Sequence, residues 1–434
     1  MAKVLKCFRT IRNNWKKSVL GVAALSYGVS YSKDAYNTNE LMKKYCETAS
    51  RFGDAPCPTN IKNRHVTIIL NPNAKKGKAK KLFTNYCEPL LHLAGIAVTV
   101  IQTESENEAR KIVMNLNKPT DAIVVAGGDG TLSDVLTGLV RRYNSNINSV
   151  KQCPIGILPL GQTNKVAKSM CNEYNNLSDV RQVVEATMAI INEKFRMMDM
   201  IEVEPIEENP EDPVKPIYAM GVVEWGAWKD AHSIAKKYWY WGPLRKYATY
   251  VLNGYKEKLN WNCDALIKYT NPCDGCSRCY QRDTSLDEFA NINKRWWHAF
   301  VPRKSVPVPE IDYSKIVNEQ CGIPHELPIS TSELHIESPN VEKSQASSSP
   351  AALKLKMGPK HVGYFSFVVE GWKQENDNKL LYKQVLEAKD IEITPQEITK
   401  ENTLYIDDEE YELKSVKIKL LSRAVKVFCP DLNS

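Results

Sequence analysis

"DAIVVAGGDGTLSDVLTGLV", residues 121–140, decides how this chain folds. An apolar run meets two glycines, an aspartate, a third glycine and a threonine, and a second apolar pattern of different period follows. Leu132, Val135, Leu136, Leu139 and Val140 recur at i, i+3, i+4, i+7 and i+8, one buried stripe of a helix. Thr131 and Asp134 have the Ser/Thr-x-x-Asp/Glu spacing of a capping box, which starts that helix at Thr131. Gly127, Gly128 and Gly130 permit positive φ and a close approach of backbone to ligand. A strand that turns through glycines into a helix N-terminus presents unpaired N–H groups and a positive dipole end to a phosphate. Asp129 repels an anion there, so it needs a task of its own. Accepting a proton from a hydroxyl, helping to place Mg²⁺, or bonding its own turn all answer that need. The glycines match neither the G-x-G-x-x-G fingerprint nor a P-loop.

The same rhythm extends on both sides. "HVTIIL" (65–70), "IAVTVIQ" (96–102), "AIVVA" (122–126) and "PIGILPLG" (154–161) read as strands, with helical spacing between them and in "LSDVRQVVEATMAIINE" (177–193). This alternation predicts an α/β, Rossmann-like parallel-sheet lobe over residues 62–195. The loops after Leu70, Ala126 and Leu158 then fall at the carboxyl ends of the strands, where such sheets bind ligands. From residue 196 to 430 the text changes to short β-like stretches, among them "PIYAMGVV", "HVGYFSFVV" and "KSVKIKLL", which predict a β-rich, sandwich-like second lobe. A Cys-, Pro- and Ser-rich insertion, about 271–359, interrupts it; much of it reads as loop, though "STSELHIES" within it is β-like.

The 434 residues are 43% hydrophobic and carry a formal charge of +7. Residues 1–33 hold seven Lys and Arg and no acid, so the rest of the chain is electrically balanced. No basic stripe argues for nucleic acid. The basic first 33 residues continue into a weakly apolar stretch from Ser18 to Tyr31, shorter than the roughly 20 apolar residues that span a bilayer. A mitochondrial targeting segment, a shallow membrane anchor and a basic tail all fit it, a secretory signal less well. Among the 12 cysteines, Cys273, Cys276 and Cys279 cluster, with Cys263 ten residues upstream. Zinc, a disulfide or an ordinary loop would each accommodate these four. Trp296 and Trp297 beside Arg295 suit a membrane interface or a half-buried loop equally.

"GGDGTLSDVLTG" (127–138) resembles the glycine-rich signature of the diacylglycerol kinase catalytic-domain family, shared with sphingosine kinases and bacterial lipid kinases. "NPNAKKGKAK" (71–80) is similar to the family's first nucleotide loop, and "PIGILPLGQTNKVAKSM" (154–170) to its third motif. "RMMDMIEV" (196–203) places Asp199 at a substrate-side aspartate, "YWYWGPLRKYATYV" (238–251) resembles a Gly-x-x-Arg element, and "YIDDEEYE" (405–412) resembles a late Asp-Gly-Glu turn. "RTIRNNWKKS", "KYWYWGPL" and "IDDEEYELKSVKIKLLSR" resemble the mitochondrial acylglycerol kinase branch of that family. Three positions depart from the wider pattern. Gly161-Gln162-Thr163-Asn164 stands where many relatives have Gly-Thr-Gly-Asn, Asp408 replaces a usual glycine, and Asp134 replaces a commoner glutamate.

The resemblance implies that ATP binds in a cleft between the lobes. Its contacts would be Asn71, Gly127, Gly128, Gly130, Thr131, Gly161, Thr163, Asn164, Arg245 and Glu409, with Asp129 accepting the substrate proton and Asp199 facing the lipid head group. Mg²⁺ would be held mainly by the phosphates. Lys75, Lys76 and Lys78 would border the nucleotide, or simply be solvated. The implied substrates are mono- and diacylglycerol, and the implied place is the mitochondrial inner membrane facing the intermembrane space. That branch is also associated with the inner-membrane carrier-protein translocase. Two rivals remain: an NAD kinase, which carries a similar GGDGT turn, and a non-catalytic membrane scaffold.

Overall fold

The computed structural model describes residues 13–54, 63–105, 107–117, 119–171, 178–206, 214–256, 263–273, 275–279, 315–341, 351–377, 382–396 and 403–430. Trp296, Trp297 and the "VPRKSVPVPEI" stretch lie outside them. The chain opens with a helix that the sequence reading leaves unassigned, α1 (Trp15–Gly53). On it Trp15, Leu20, Leu25, Tyr31 and Tyr36 are exposed, whereas Met42, Tyr45, Cys46 and Ala49 pack against the body. Among the described residues, no helix is long and apolar enough to cross a membrane.

Four parallel strands follow: β1 (His65–Leu70), β2 (Ala97–Gln102), β3 (Ala122–Gly127) and β4 (Ile155–Pro159), in the spatial order β2-β1-β3-β4. Alternate residues of a strand face opposite sides. Ile123 and Val125 therefore enter one core with α2 (Glu108–Met114) and α3 (Asp129–Arg142), while Val124 and Ala126 enter the other. That second core takes a broken helical run, residues 74–93, and α5 (Ser178–Ile191); between the two comes the short α4 (Lys165–Met170). The Rossmann-like lobe read from the βαβ rhythm is present.

The second lobe is a sandwich. One sheet holds β5 (Phe195–Pro205), β6 (Ile217–Ala219), β8 (Cys263–Thr270), β9 (Pro324–Thr331), β13 (Asp390–Pro395) and β16 (Val416–Phe428). The other runs β12 (Gln384–Ala388), β11 (Leu353–Met357), β10 (Glu333–Glu337), β7 (Val222–Gly226), β14 (Thr403–Ile406), β15 (Glu409–Glu412). Ile201, Trp225, Ile267, Ile336, Leu355 and Ile418 fill the space between them. The long β16 joins the lobes. It pairs β4 in parallel at Val427 and β13 antiparallel near Ile418, with a bulge between Leu421 and Val425.

One expected strand is a helix. "HVGYFSFVV" contributes to α8 (Tyr364–Asp377), which packs with α6 (Ala227–Ile234) and α7 (Arg245–Lys256) around Trp228, Tyr250 and Phe367. Its aromatic and β-branched residues favour strands locally, but Phe367 and Gly371 lie four apart on one face against Tyr250, and that packing decides.

Candidate active site

At the carboxyl end of β3, the chain runs through Gly127 and Gly128 directly into α3. The helix begins at Asp129, not Thr131, with Gly128 as its N-cap and no side chain capping it among the described residues. Both residues of the expected capping box have other partners. The buried Asp134 carboxylate accepts from the half-buried Arg110 at 2.7 Å, and Thr131 Oγ1 accepts from Asn71 Nδ2 at 3.3 Å. A guanidinium satisfies a buried carboxylate better than a backbone N–H does. No side chain is spent on the first turn of α3 among the described residues, the form of a helix N-terminus that can receive an anion.

The expectation of positive φ at the three glycines also fails. Gly127, Gly128 and Gly130 are not left-handed, and Gly128 is extended (φ −104°, ψ −172°). Space is what they supply. A Cβ on Gly130 would lie 2.7 Å from Glu409 Cγ, and one on Gly127 would lie 2.7 Å from Thr131 Oγ1. A Cβ on Gly161 would collide with Gly128 Cα, so the loops after β3 and β4 touch glycine to glycine. The Gly161–Asn164 loop is closed by Asn164, whose side chain accepts from Gly161 N–H (3.0 Å) and donates to Gly161 O (3.1 Å). Thr163 O accepts from Asp129 N–H at 3.3 Å. Beside these loops, a polar cleft of about 300 Å³ is lined by Asn71, Thr131, Asp134 and Glu409 with Asn73 and Ser105. Lys75 Nζ, from the lysine run, instead pairs with Asp179 at 2.8 Å.

Asp129 lies at the lobe interface and is 3% exposed. Its carboxylate accepts the Lys165 N–H at 2.7 Å, capping α4 from a different segment rather than bonding its own turn. Burial, and then the charge of Asp408, push its pKa up to about 6 against the pull of the Lys165 and Val166 N–H groups and the Lys165 ammonium. Facing it, Asp407 and Asp408 form the two-residue turn of the β14–β15 hairpin, both left-handed (φ 48° and 68°). That geometry explains why glycine is usual at position 408, and aspartate is among the residues that tolerate it. Asp407 accepts from the N–H groups of Met220, Gly221 and Val222, at 3.1, 3.3 and 2.8 Å. Burial and the charge of Asp129 still raise it to about 7.

A buried charge network, which the sequence reading missed, ties the lobes together here. Lys165 Nζ on α4 reaches Glu224 on β7 at 3.1 Å, and Lys229 on α6 reaches the same carboxylate at 2.6 Å and also pairs with Asp408. His335 Nδ1 lies 3.1 Å from Glu224. Burial alone would raise Glu224, but the Lys165 and Lys229 ammoniums hold it well below the usual carboxylate range. Asp408 is lowered by the same two lysines against its burial. A lone glutamate inside the apolar run "AMGVVEWGAW" was the available signal.

The remaining expected site residues, Asp199 and Arg245, lie on β5 and at the start of α7. Asp199 on β5 accepts the Arg423 N–H at 2.7 Å, steadying the left-handed residue (φ 50°) in the β16 bulge. Arg245 opens α7, and among the described residues no hydrogen bond or ion pair joins it to the glycine loops. A second cavity, also about 300 Å³ and mostly apolar, lies under α8, lined by Trp228, Glu333, Val362 and Tyr382 among others.

Residues 65–203 match the family model of the diacylglycerol kinase catalytic domain, and residues 220–433 match that of the acylglycerol kinase C-terminal region. The chain is 32% identical to the mitochondrial acylglycerol kinase of Mus musculus, over 97% of this chain and 96% of that protein. It is 32% identical to the Xenopus laevis mitochondrial acylglycerol kinase, over 99% and 96%. Sphingosine kinase 1 of Rattus norvegicus is 29% identical over 44% of this chain and 49% of its own length. Two glycine loops in contact, a buried aspartate between the lobes and near full-length likeness lead to one conclusion: the chain belongs to the acylglycerol kinase family of lipid kinases.

Proposed function

We propose that this enzyme transfers the γ-phosphoryl group of ATP to the hydroxyl of mono- and diacylglycerol, forming lysophosphatidic and phosphatidic acid. The observation that carries the reading is Asp129, a buried carboxylate of raised pKa set where two glycine loops meet beside a polar cleft. The ATP phosphates would rest on the uncapped first turn of α3, and Asn71, Thr131 and Glu409 would line the nucleotide side. Asp129 would accept the hydroxyl proton, and a pKa near 6 suits a base working near neutrality. Lys165 and Lys229 would hold positive charge close to the transferred group.

The residues present fit Mg²⁺ arriving with ATP. Asp408 Oδ2 is a buried acceptor with no hydrogen-bond partner among the described residues, and it stands beside the Asp129 and Asp407 carboxylates, which burial and neighbouring acids raise. Asp408 would help to hold the ion, which would supply positive charge against the negative charge that develops on the transferred phosphoryl group. Access from a membrane is supported by Trp239, Tyr240, Trp241 and Phe365, which are 74%, 62%, 46% and 82% exposed around the helical layer. The apolar cavity under α8 is sized for part of an acyl chain. The basic N-terminus and the mitochondrial acylglycerol kinases that the chain resembles support a mitochondrial location, and the inner membrane facing the intermembrane space is our proposal within it. An association with the carrier translocase would need none of the cleft residues, and an Asp129→Asn protein that loses phosphorylation yet assembles would separate the two roles. The decisive assay offers radiolabelled ATP with a panel of mono- and diacylglycerols, ceramide, sphingosine and NAD. Labelling of NAD with no labelled acylglycerol would overturn the proposal.

A further inference from the structure

Away from the cleft, the sulfurs of Cys273, Cys276, Cys279 and Cys321 all lie within 4.8 Å of one another. We propose that these four cysteines hold one structural Zn²⁺ in a tetrahedral, all-thiolate site. Cys263, which the sequence spacing offers as the fourth ligand, is excluded: it sits buried on β8 with its thiol directed at Trp225 O, 3.8 Å away. Cys321 takes the place, from the far side of a long excursion of the chain.

The separations select a single ion. Zinc–sulfur bonds of about 2.3 Å in a tetrahedron put neighbouring sulfurs about 3.8 Å apart. Cys276 and Cys279 Sγ are 3.6 Å apart, too far for a disulfide, whose sulfurs are about 2.05 Å apart. An iron–sulfur cluster spreads its four thiolates over several metal atoms, wider than this set.

The backbone around the sulfurs has the form that such a site needs. Gly275 (φ 126°) and Gly322 (φ 79°) take conformations that turn the chain back at the cysteines. The Cys279 N–H bonds Cys276 O at 3.1 Å, and the N–H groups of Arg278 and Cys279 are directed at the Cys276 sulfur. Asn318 Nδ2 donates to Cys273 Sγ at 3.3 Å. Donors aimed at sulfur stabilise the thiolate form and orient metal ligands. The two arms are also clasped directly, by Ser277 N–H to Ile316 O (2.9 Å) and Arg278 Nη1 to Glu319 O (3.2 Å).

The position gives the ion its task. β8 ends at Thr270 and β9 begins at Pro324, and these two residues pair across the sheet. Three ligands follow β8 and one precedes β9, so the ion closes the neck of the 271–323 excursion where it leaves the sheet edge. On binding, the ligating thiols release their protons to water.

The test uses the full chain, purified without chelator and analysed by mass spectrometry for metals. One zinc per chain is expected; Cys276→Ser and Cys321→Ser should each lose most of it, and Cys263→Ser should keep it. The wild-type protein exchanged with Co²⁺ provides a readout that does not depend on variants folding: it should show the intense thiolate-to-cobalt charge transfer and visible bands of a four-thiolate tetrahedral site. Iron in place of zinc, metal that is lost with Cys263 rather than Cys321, or disulfides among the four cysteines in unreduced peptide maps would each overturn the assignment.

Discussion

Asp129 caps α4 through its bond to Lys165 N–H, and the same burial that makes that bond strong raises its pKa to about 6. A folded-state pKa above the unfolded value of 3.8 means that the associated stability is complete below that value and is lost as pH rises through about 6. At pH 7.5 the ionised carboxylate is therefore a cost to the fold. Asp129→Asn keeps an acceptor for Lys165 and removes the charge, so its Tm should exceed that of the wild type at pH 7.5, and the gap should close near pH 4. Its kinase activity should fall by about 10²- to 10⁴-fold, the usual contribution of a general base. Wild-type kcat/KM should rise with pH through an apparent pKa near 6. A variant that is slow and also less stable at pH 7.5 would make Asp129 a capping residue alone. This aspartate was legible in the sequence because glycine spacing isolates it. Of its neighbours only Glu224 left a trace, as a lone acid in an apolar run; Lys165 and Lys229 left none, since each comes from a different segment and only the fold gathers them.

Among the elements, two contacts deserve separate tests. The β3 and β4 loops meet at Gly128 and Gly161, where a methyl group has no room. Gly161→Ala must part the loops, with a destabilisation of about 1–3 kcal/mol and a KM for ATP raised about tenfold or more. Unchanged ATP kinetics in a folded variant would show that the loops do not cradle the nucleotide. The second contact is Glu224, which answers the half-buried Lys165 and the buried Lys229 ammoniums and links α4, β7 and α6. Glu224→Ala takes the paired carboxylate from Lys165 and leaves Lys229 with Asp408 alone, and removing one partner of a buried pair costs about 3–5 kcal/mol. Because its pKa is depressed, the Glu224 contribution is present above the unfolded value of 4.5 and fades as pH falls below it. Thermal scans should show the largest deficit near neutrality and a smaller one in acid. Element type was legible wherever periodicity ran long, as in α3 and α5. It was misread in α8, where local preference favours strand and contact with Tyr250 and Trp228 selects helix. The start of α3 was misplaced because Asp134 answers Arg110, a residue 24 positions away that no local pattern reveals.

At the scale of the molecule, β16 makes the two lobes one body, running from the sandwich to the edge of the parallel sheet. The alternation of strands and helices announced the first lobe. The shared strand was invisible, because a single sequence records no pairing between residue 155 and residue 427. The N-terminal helix divides in the same way between what the body holds and what it does not. From Met42 onward α1 packs on the α5 face, where Tyr45 Oη bonds Glu185 at 3.2 Å and Ala49 is fully buried. Earlier, Trp15, Leu20, Leu25 and Tyr31 are 60%, 74%, 72% and 67% exposed, beside Lys16 and Lys17. An exposed apolar segment next to cations is suited to lying in an anionic lipid interface. Removal of residues 1–36 should therefore leave the Tm within a degree or two and preserve activity on acylglycerol in mixed micelles, while abolishing flotation with anionic vesicles. Removal of residues 1–53 should uncover the surface under Tyr45 and Ala49 and lower the stability by several kcal/mol, at about 1.5–3 kcal/mol for each large apolar side chain exposed. If the shorter deletion destabilises as much as the longer one, the exposed half belongs to the folded body and its membrane role is wrong. If both deletions still float with vesicles, the helical layer carrying Trp239 and Trp241 is the dominant contact with lipid.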